Sequence, residues 1–345
     1  MAQRRGYTSD YYWCLGWFGF LDLVSRLEAC CSYTGGWSKQ LSTRFKREIE
    51  KYKNTMESLR GKNDGHSVEF LRKNKKTLLE LLKKEEDYWR QRAKTYWLTE
   101  GDLNTKYFHA MASTRRRVNR IQKLVDDNGV CSEDDEGMCK IAQQYFQFLF
   151  SASRGQTDRV IQYVDARVSS SDNAGLLTPF KLEKFKTAVI QMHPDKSLGP
   201  DGLNPAFYQR FWPLLGETIF NACVGWLNRK EFPHSLNDTT IVLIPKCEAR
   251  SSMKELRPIS LCNVLYKILA KVLANRLKQV LPKIISSSQS AFVPGRAITD
   301  NVLAAFELLH FMKRKTKGKR GEVALKIDIS KAYDSLQGVF TRYYA

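Results

Sequence analysis

Acidic residues are scarce beside basic ones in this 345-residue chain: 36 Asp and Glu stand against 56 Lys and Arg, a formal net charge of +20. Such an imbalance points to a polyanionic partner. Histidine is also scarce, with five residues scattered along the chain, and none of the eight cysteines falls into C-x-x-C spacing. That excludes a zinc site of the paired-cysteine kind and leaves no disulfide framework, so an intracellular, reduced protein of nucleus or cytoplasm is expected. Long apolar runs are missing too. The best one, YYWCLGWFGFLDLV at 11–24, is too short to span a bilayer and is interrupted by Asp22, so no membrane association is expected. Arg4 and Arg5 precede it as in a signal peptide, but no small-residue cleavage site follows.

What the chain does have is core material and a one-sided charge distribution. With 43% hydrophobic residues and a length beyond one ordinary domain, two units are expected. Residues 41–123 hold 22 Lys and Arg against 11 Asp and Glu, more than half of the net excess. Arg115, Arg116 and Arg117 form its densest run, and a second block from Lys313 to Arg320 follows later. Tyr88, Trp89, Tyr96, Trp97, Tyr107 and Phe108 are interleaved with the first block, as in surfaces that track phosphates and stack on bases. Leu78, Leu82, Trp89 and Tyr96 also fall on helical spacing, so core packing accounts for the aromatics equally well.

Periodicity supplies the elements. Phe45, Ile49, Tyr52, Met56 and Leu59 mark an amphipathic helix ended by GKNDGH, and a second helix runs over 68–96. Residues 98–104 read as a loop opening a further helix through FHAMAS, and Asn128-Gly129 as the turn of a short hairpin, with the acidic cluster 133–136 as a surface loop or helix start rather than a metal site. Residues 141–151 and 181–192 are helical in pattern, and DKSLGPDG is a turn-rich loop whose two glycines permit backbone approach to a phosphate. Residues 239–244 and 256–261 flank a polar loop as a two-stranded hairpin. The next helix carries an apolar stripe of Val264, Ile268, Val272, Leu273, Leu277 and Val280 ended by Pro282, with Lys267, Lys271 and Lys278 on another face. Another helix starts near Ala297.

Near the C-terminal end, Val323, Leu325, Ile327 and Ile329 alternate with Ala324, Lys326, Asp328 and Ser330, the pattern of a half-buried strand. It would deliver Asp328 to the opposite face, a rigid mount for a hard carboxylate of the kind used in two-metal phosphoryl transfer. Alone, an Asp there is explained as readily by solvation or helix capping.

Read in order, IVLIPK at 241–246, ELRPISLCNVLYKILAKVLANRL at 255–277, SQSAFVPGRAITDNVLAAFELLH at 288–310 and LKIDISKAYDSL at 325–336 resemble the reverse transcriptase domain of non-LTR, LINE-type retrotransposons, especially the plant type. HPDKSLGPDGLNPAFYQRFW at 193–212 and WLTEGDLNTKYFHAMASTRRRVNRI at 97–121 extend the resemblance upstream. It implies an α+β fold: a helical connector over 41–150, then over 151–345 the fingers and partial palm of a right-hand polymerase, incomplete at the C-terminus, with residues 1–40 outside the pattern. It also implies that Asp328 and the carbonyl of Ile329 hold Mg²⁺ or Mn²⁺, and that Tyr333 lies beneath the sugar as a filter against ribonucleotides. Arg257 and Lys246 would reach the incoming triphosphate, although a strand-end Lys is commonly just solvated. Gly199, Pro200, Asp201 and Gly202 would contact the template, as would Gln289 and Arg296, unless Arg296 caps the helix after it.

The family places two further adjacent aspartates on a later palm hairpin, and the residues following Tyr333 here do not contain them. The expected function is therefore that of a retrotransposon RNA-directed DNA polymerase fragment, inactive as this isolated chain. RNA template and DNA primer, or their hybrid, are its expected partners, with palm and thumb segments otherwise supplied by the same polypeptide. A non-catalytic nucleic-acid-binding relic and a protein like the group II intron maturases stay open as alternatives.

Overall fold

The computed structural model describes residues 22–39, 41–62, 64–93, 105–151, 165–247, 251–291, 293–315 and 323–327. Among them run helices α1 (Leu23–Lys39), α2 (Leu41–Ser58), α3 (Gly65–Ala93) and α4 (Thr105–Asn119), strands β1 (Leu124–Val125) and β2 (Cys131–Ser132), and α5 (Asp135–Leu149). Four helices follow: α6 (Ser170–Leu176), α7 (Leu182–Ile190), α8 (Pro205–Arg210) and α9 (Trp212–Arg229). Strands β3 (Thr239–Pro245) and β4 (Leu256–Cys262) precede α10 (Val264–Leu277), α11 (Leu281–Ile284) and α12 (Ile298–Arg314). The result is a mixed helix-and-sheet protein. Two compact units divide it, and neither is continuous in sequence: the first gathers 1–138, 193–210 and 233–264, the second 139–192, 211–232 and 265–345. Among the described residues no helix is long and apolar enough to cross a membrane.

In the first unit α3 packs against α2 and α4, burying Ile49, Leu81, Ala93 and Phe108. Both sheets are antiparallel hairpins. The β1–β2 pair turns at Asn128-Gly129, where Gly129 takes φ 86° and Asp126 Oδ1 accepts the amides of Asn128 at 2.9 Å and Val130 at 2.8 Å. The β3–β4 register runs from Thr239 opposite Cys262 to Pro245 opposite Leu256. The two hairpins touch: the amide of Val125 donates to Ser251 O at 2.6 Å, and Val125 bridges Ser252 in parallel.

The second unit is built on α7 against α9, with Phe185, Ala188, Val189, Leu215, Ile219 and Cys223 fully covered. Phe185 meets Phe180 and Phe220 edge-on at 6.1 and 5.4 Å, the favoured aromatic geometry. Burial pushes the Cys223 thiol up to about 12. Around α10 the contacts are polar and specific. Arg276 lies over the Phe180 ring at 3.6 Å and donates to Leu176 O at 2.8 Å, and Asn275 donates to Gln191 Oε1 at 3.0 Å. Lys283 of α11 meets Asp172 of α6 at 2.6 Å.

Three sequence expectations need correction. The stripe of α10 is rotated: Leu265 and Leu269 are buried beside Val264, Ile268 and Val272, whereas Leu273 is 42% exposed. Pro282 does not end that helix, which stops at Leu277; it occupies the first turn of α11, where its missing N–H costs nothing. The half-buried strand expected at 323–330 is not formed by its described part, 323–327, which has no regular structure, and Val323 is 88% exposed. Alternation marks a surface suited to half-cover; a strand also needs a neighbour to complete its hydrogen bonds.

Candidate nucleic-acid interface

In the basic segment most of the described aromatics are used in packing, while Tyr96 and Trp97 lie outside the described residues. Phe108 is 1% exposed, Trp89 sits edge-on to His109 at 4.2 Å, and Tyr88 contacts Phe45 at 6.1 Å, so these rings are spent on packing α2, α3 and α4. Arg92 caps the Tyr88 ring at 3.3 Å, and burial lowers its pKa. Tyr107 stays half-exposed. Arg115, Arg116 and Arg117 all lie exposed along the end of α4, where cations also suit the helix dipole. Exposed arginines suited to phosphate contact, with the half-exposed Tyr107 on the same helix, are what the described part of this surface offers.

The loop carrying Gly199, Pro200, Asp201 and Gly202 closes onto the base of the β3–β4 hairpin. A Cβ on Gly199 would stand 2.5 Å from Cys262 O and 2.7 Å from Asn263 N, so only glycine allows the two backbones to meet. The Gly202 amide donates to Gly199 O at 3.0 Å, with Gly202 at φ 67°, and the Leu203 amide donates to Asp201 Oδ1 at 3.2 Å. The Asp201 amide donates to Asn263 Oδ1 at 3.0 Å, and Asn263 Nδ2 donates to Ser235 O at 3.0 Å. Pro200 has no amide hydrogen. Gly199 therefore serves approach to protein backbone, Gly202 supplies the positive φ and clears the Cys31 side chain, and the amides at 201–203 are already bonded within the protein.

On the hairpin, one face aligns Thr240, Val242 and Ile244 with Leu261, Ile259 and Arg257. Val242, Ile244 and Ile259 are exposed, and Arg257 lies exposed among them, opposite Ile244. Lys246 is tied locally: its amide continues the ladder to Glu255 O at 2.8 Å, and its Nζ donates to Lys254 O at 2.8 Å. Glu255 organises this end. Its carboxylate accepts the amides of Ser251 at 2.8 Å and Ser252 at 3.1 Å, bonds that hold it below the usual carboxylate range.

In the second unit, Arg296 donates to four carbonyls: those of Gln289 at 2.6 Å, Pro282 and Ile285 at 3.4 Å, and Ser286. It staples the turn after α11 rather than capping α12, whose N-cap is Ala297. Gln289 stays exposed on the same loop and donates to Ala291 O at 3.3 Å. Asp328, Ile329 and Tyr333 lie outside the described residues. Among the described residues no cluster of His, Cys, Asp and Glu is suited to a metal ion.

Sequence reasoning passed over Asn263 and Glu255. Glu255 carried a findable signal, since Ser252 three residues earlier makes a capping box. Asn263 carried none beyond its place after β4.

Comparison with known proteins bears on both units. Residues 244–339 match the family model of the reverse transcriptase (RNA-dependent DNA polymerase). Over 245 residues, 70% of the chain, the sequence is 33% identical to the transposon TX1 uncharacterized 149 kDa protein of Xenopus laevis, covering 18% of that protein. It is 30% identical over 140 residues, 41% of the chain, to the retrovirus-related Pol polyprotein from type-2 retrotransposable element R2DM of Drosophila melanogaster, covering 12% of it. A similar polyprotein from type-1 element R1 of Bradysia coprophila is 26% identical over 159 residues, 45% of the chain and 15% of the relative. The chain thus spans less than a fifth of the curated relatives it matches.

Proposed function

We propose that the chain is part of an RNA-directed DNA polymerase of a LINE-type, non-LTR retrotransposon of the plant type, the lineage resting on the ordered segments at 241–336. The observation carrying this reading is the family match over 244–339, which takes in β4 with its exposed Arg257 and runs past Asp328. In this reading residues 41–150 form the connector and 151–345 hold the fingers and the start of the palm. Arg115, Arg116 and Arg117 grip the phosphates of an RNA template or RNA–DNA hybrid. Arg257 presents a bidentate fork to the triphosphate of the incoming nucleotide, and Lys246 adds a point charge. Asp328, with the carbonyl of Ile329, would hold a divalent cation that neutralises charge developing on the transferred phosphoryl group. Tyr333 screens the sugar. The 199–202 loop, Gln289 and Arg296 shape the template side by holding backbone in place.

The test is primer extension on an RNA template by a chimaera that continues this chain into the palm and thumb of a relative. Extension that is lost in Asp328→Asn is expected. No extension from a folded chimaera would leave the non-catalytic binding reading in its place, and extension that survives Asp328→Asn would remove Asp328 from the metal site. For the 345-residue chain itself, reversing Arg115, Arg116 and Arg117 to Glu should flatten the dependence of log affinity on log salt by about 2 for single-stranded RNA, at roughly 0.7 per phosphate contact. An unchanged slope would remove these arginines from the interface.

A further inference from the structure

We infer that Asn263 is a positioning residue: it locks the 199–202 loop to the base of the β3–β4 hairpin and so fixes the strand that carries Arg257 toward the incoming triphosphate. This rests on the function proposed above. Asn263 is 8% exposed, and a buried carboxamide is costly unless both of its ends are bonded. Here both are, to two separate stretches of chain. Oδ1 takes the Asp201 amide at 3.0 Å and Nδ2 gives to Ser235 O at 3.0 Å. Ser235 belongs to the helical turn His234–Asn237 that feeds β3, and Asn263 itself follows the last residue of β4. One side chain therefore ties both strands, at the same end of the hairpin, to the loop. Gly199 makes the fit possible, since a Cβ there would strike Cys262 O.

A two-stranded hairpin alone is marginal in water, so the direction of its exposed face depends on what holds its two ends. Val125 of β1 meets Ser251 and Ser252 beyond one end of the ladder, and Asn263 holds the other. Arg257 sits six positions before Asn263 on β4, and with the β1 contact left in place, loss of the base lets the ladder turn about that contact and re-aims the guanidinium. The loop need not touch the triphosphate for its loss to weaken binding.

The experiment uses the 345-residue chain and, as probe, a deoxynucleoside triphosphate with Mg²⁺ at low salt. Asn263→Ala and Gly199→Ala should each speed exchange of the Asp201 amide by about tenfold, the cost of roughly one net hydrogen bond. Asn263→Asp, which keeps the acceptor, should preserve slow exchange there. Asn263→Ala should lower triphosphate affinity about threefold when Arg257 is present and not when it is Ala, the non-additivity of a residue acting through another. Unchanged exchange at Asp201 in both Ala variants, or equal affinity losses with and without Arg257, would overturn the inference. A folded wild-type chain that fails to bind the triphosphate would instead sink the role proposed above for Arg257 and that of Asn263 with it, while the exchange data would still tell whether the joint exists.

Discussion

Helices α10 and α12 are close in sequence and alike in composition, yet they end differently. The 14 residues of α10 bury Val264, Leu265, Ile268, Leu269 and Val272. The 17 residues of α12 leave Val302, Leu303, Phe306, Leu309 and Phe311 exposed, Phe306 to 66%. Nothing in local propensity separates them. What differs is the partner: α10 has the buried seam and the polar ties of Arg276 and Asn275, while α12 has no cover among the described residues. Apolar periodicity tells which face of a helix suits burial, and says nothing of whether the rest of the fold supplies the cover.

The contrast can be broken most directly by truncation. Ile268→Ala should lower the stability of the chain by about 3 kcal/mol, whereas Phe306→Ala should cost under about 1 kcal/mol, as read from urea midpoints. Equal losses would mean that α12 is covered in solution. Amide exchange sharpens the same point without mutation: the central amides of α10 should be protected at least about tenfold more strongly than those of α12. A third effect is confined to acid. The bond from Lys283, with those from Ser169, holds the Asp172 carboxyl down at about 2 from its ordinary 3.8. A depressed folded-state pKa means that this contribution is present above pH 3.8 and is lost as pH falls through about 2. Asp172→Asn should flatten the stability profile in that window, and a profile identical to wild type would show that the tie between α6 and α11 contributes nothing. The smallest change belongs to Leu273→Gln, expected within about 0.5 kcal/mol because that side of α10 faces solvent.

Much of the secondary structure was legible from the sequence. The β3–β4 hairpin, the Asn128-Gly129 turn and helices α2, α3, α7 and α10 follow from period and punctuation, which are local properties. The candidate site was legible by residue type and far less by arrangement. Arg115, Arg116 and Arg117 were readable because a run of charge stays at the surface. Arg296 was not, since whether a guanidinium meets a template or four carbonyls of its own loop depends on a turn whose shape no pattern states. Gly199 was noticed as a glycine, but the backbone that it admits lies more than sixty positions away at Cys262 and Asn263. The rotation of the α10 stripe from Leu273 to Leu269 has the same origin, because a helix has several possible apolar arcs and its neighbours choose among them.

The span of the Asn263 bonds sets an order of assembly. The β3–β4 ladder joins residues close in sequence and can zip within microseconds, on the scale of about 1–10 μs for hairpins. Its anchor cannot form so early: Asp201 lies 62 positions and Ser235 28 positions from Asn263, and each loop must be closed before its bond returns anything. During synthesis the 199–202 loop therefore emerges well ahead of the Asn263 side chain that bonds to it. Until that joint and the β1 contact at Ser251 have formed, the hairpin's exposed Val242, Ile244 and Ile259 are apolar strand surface on a loosely held ribbon, open to mispairing with a neighbour.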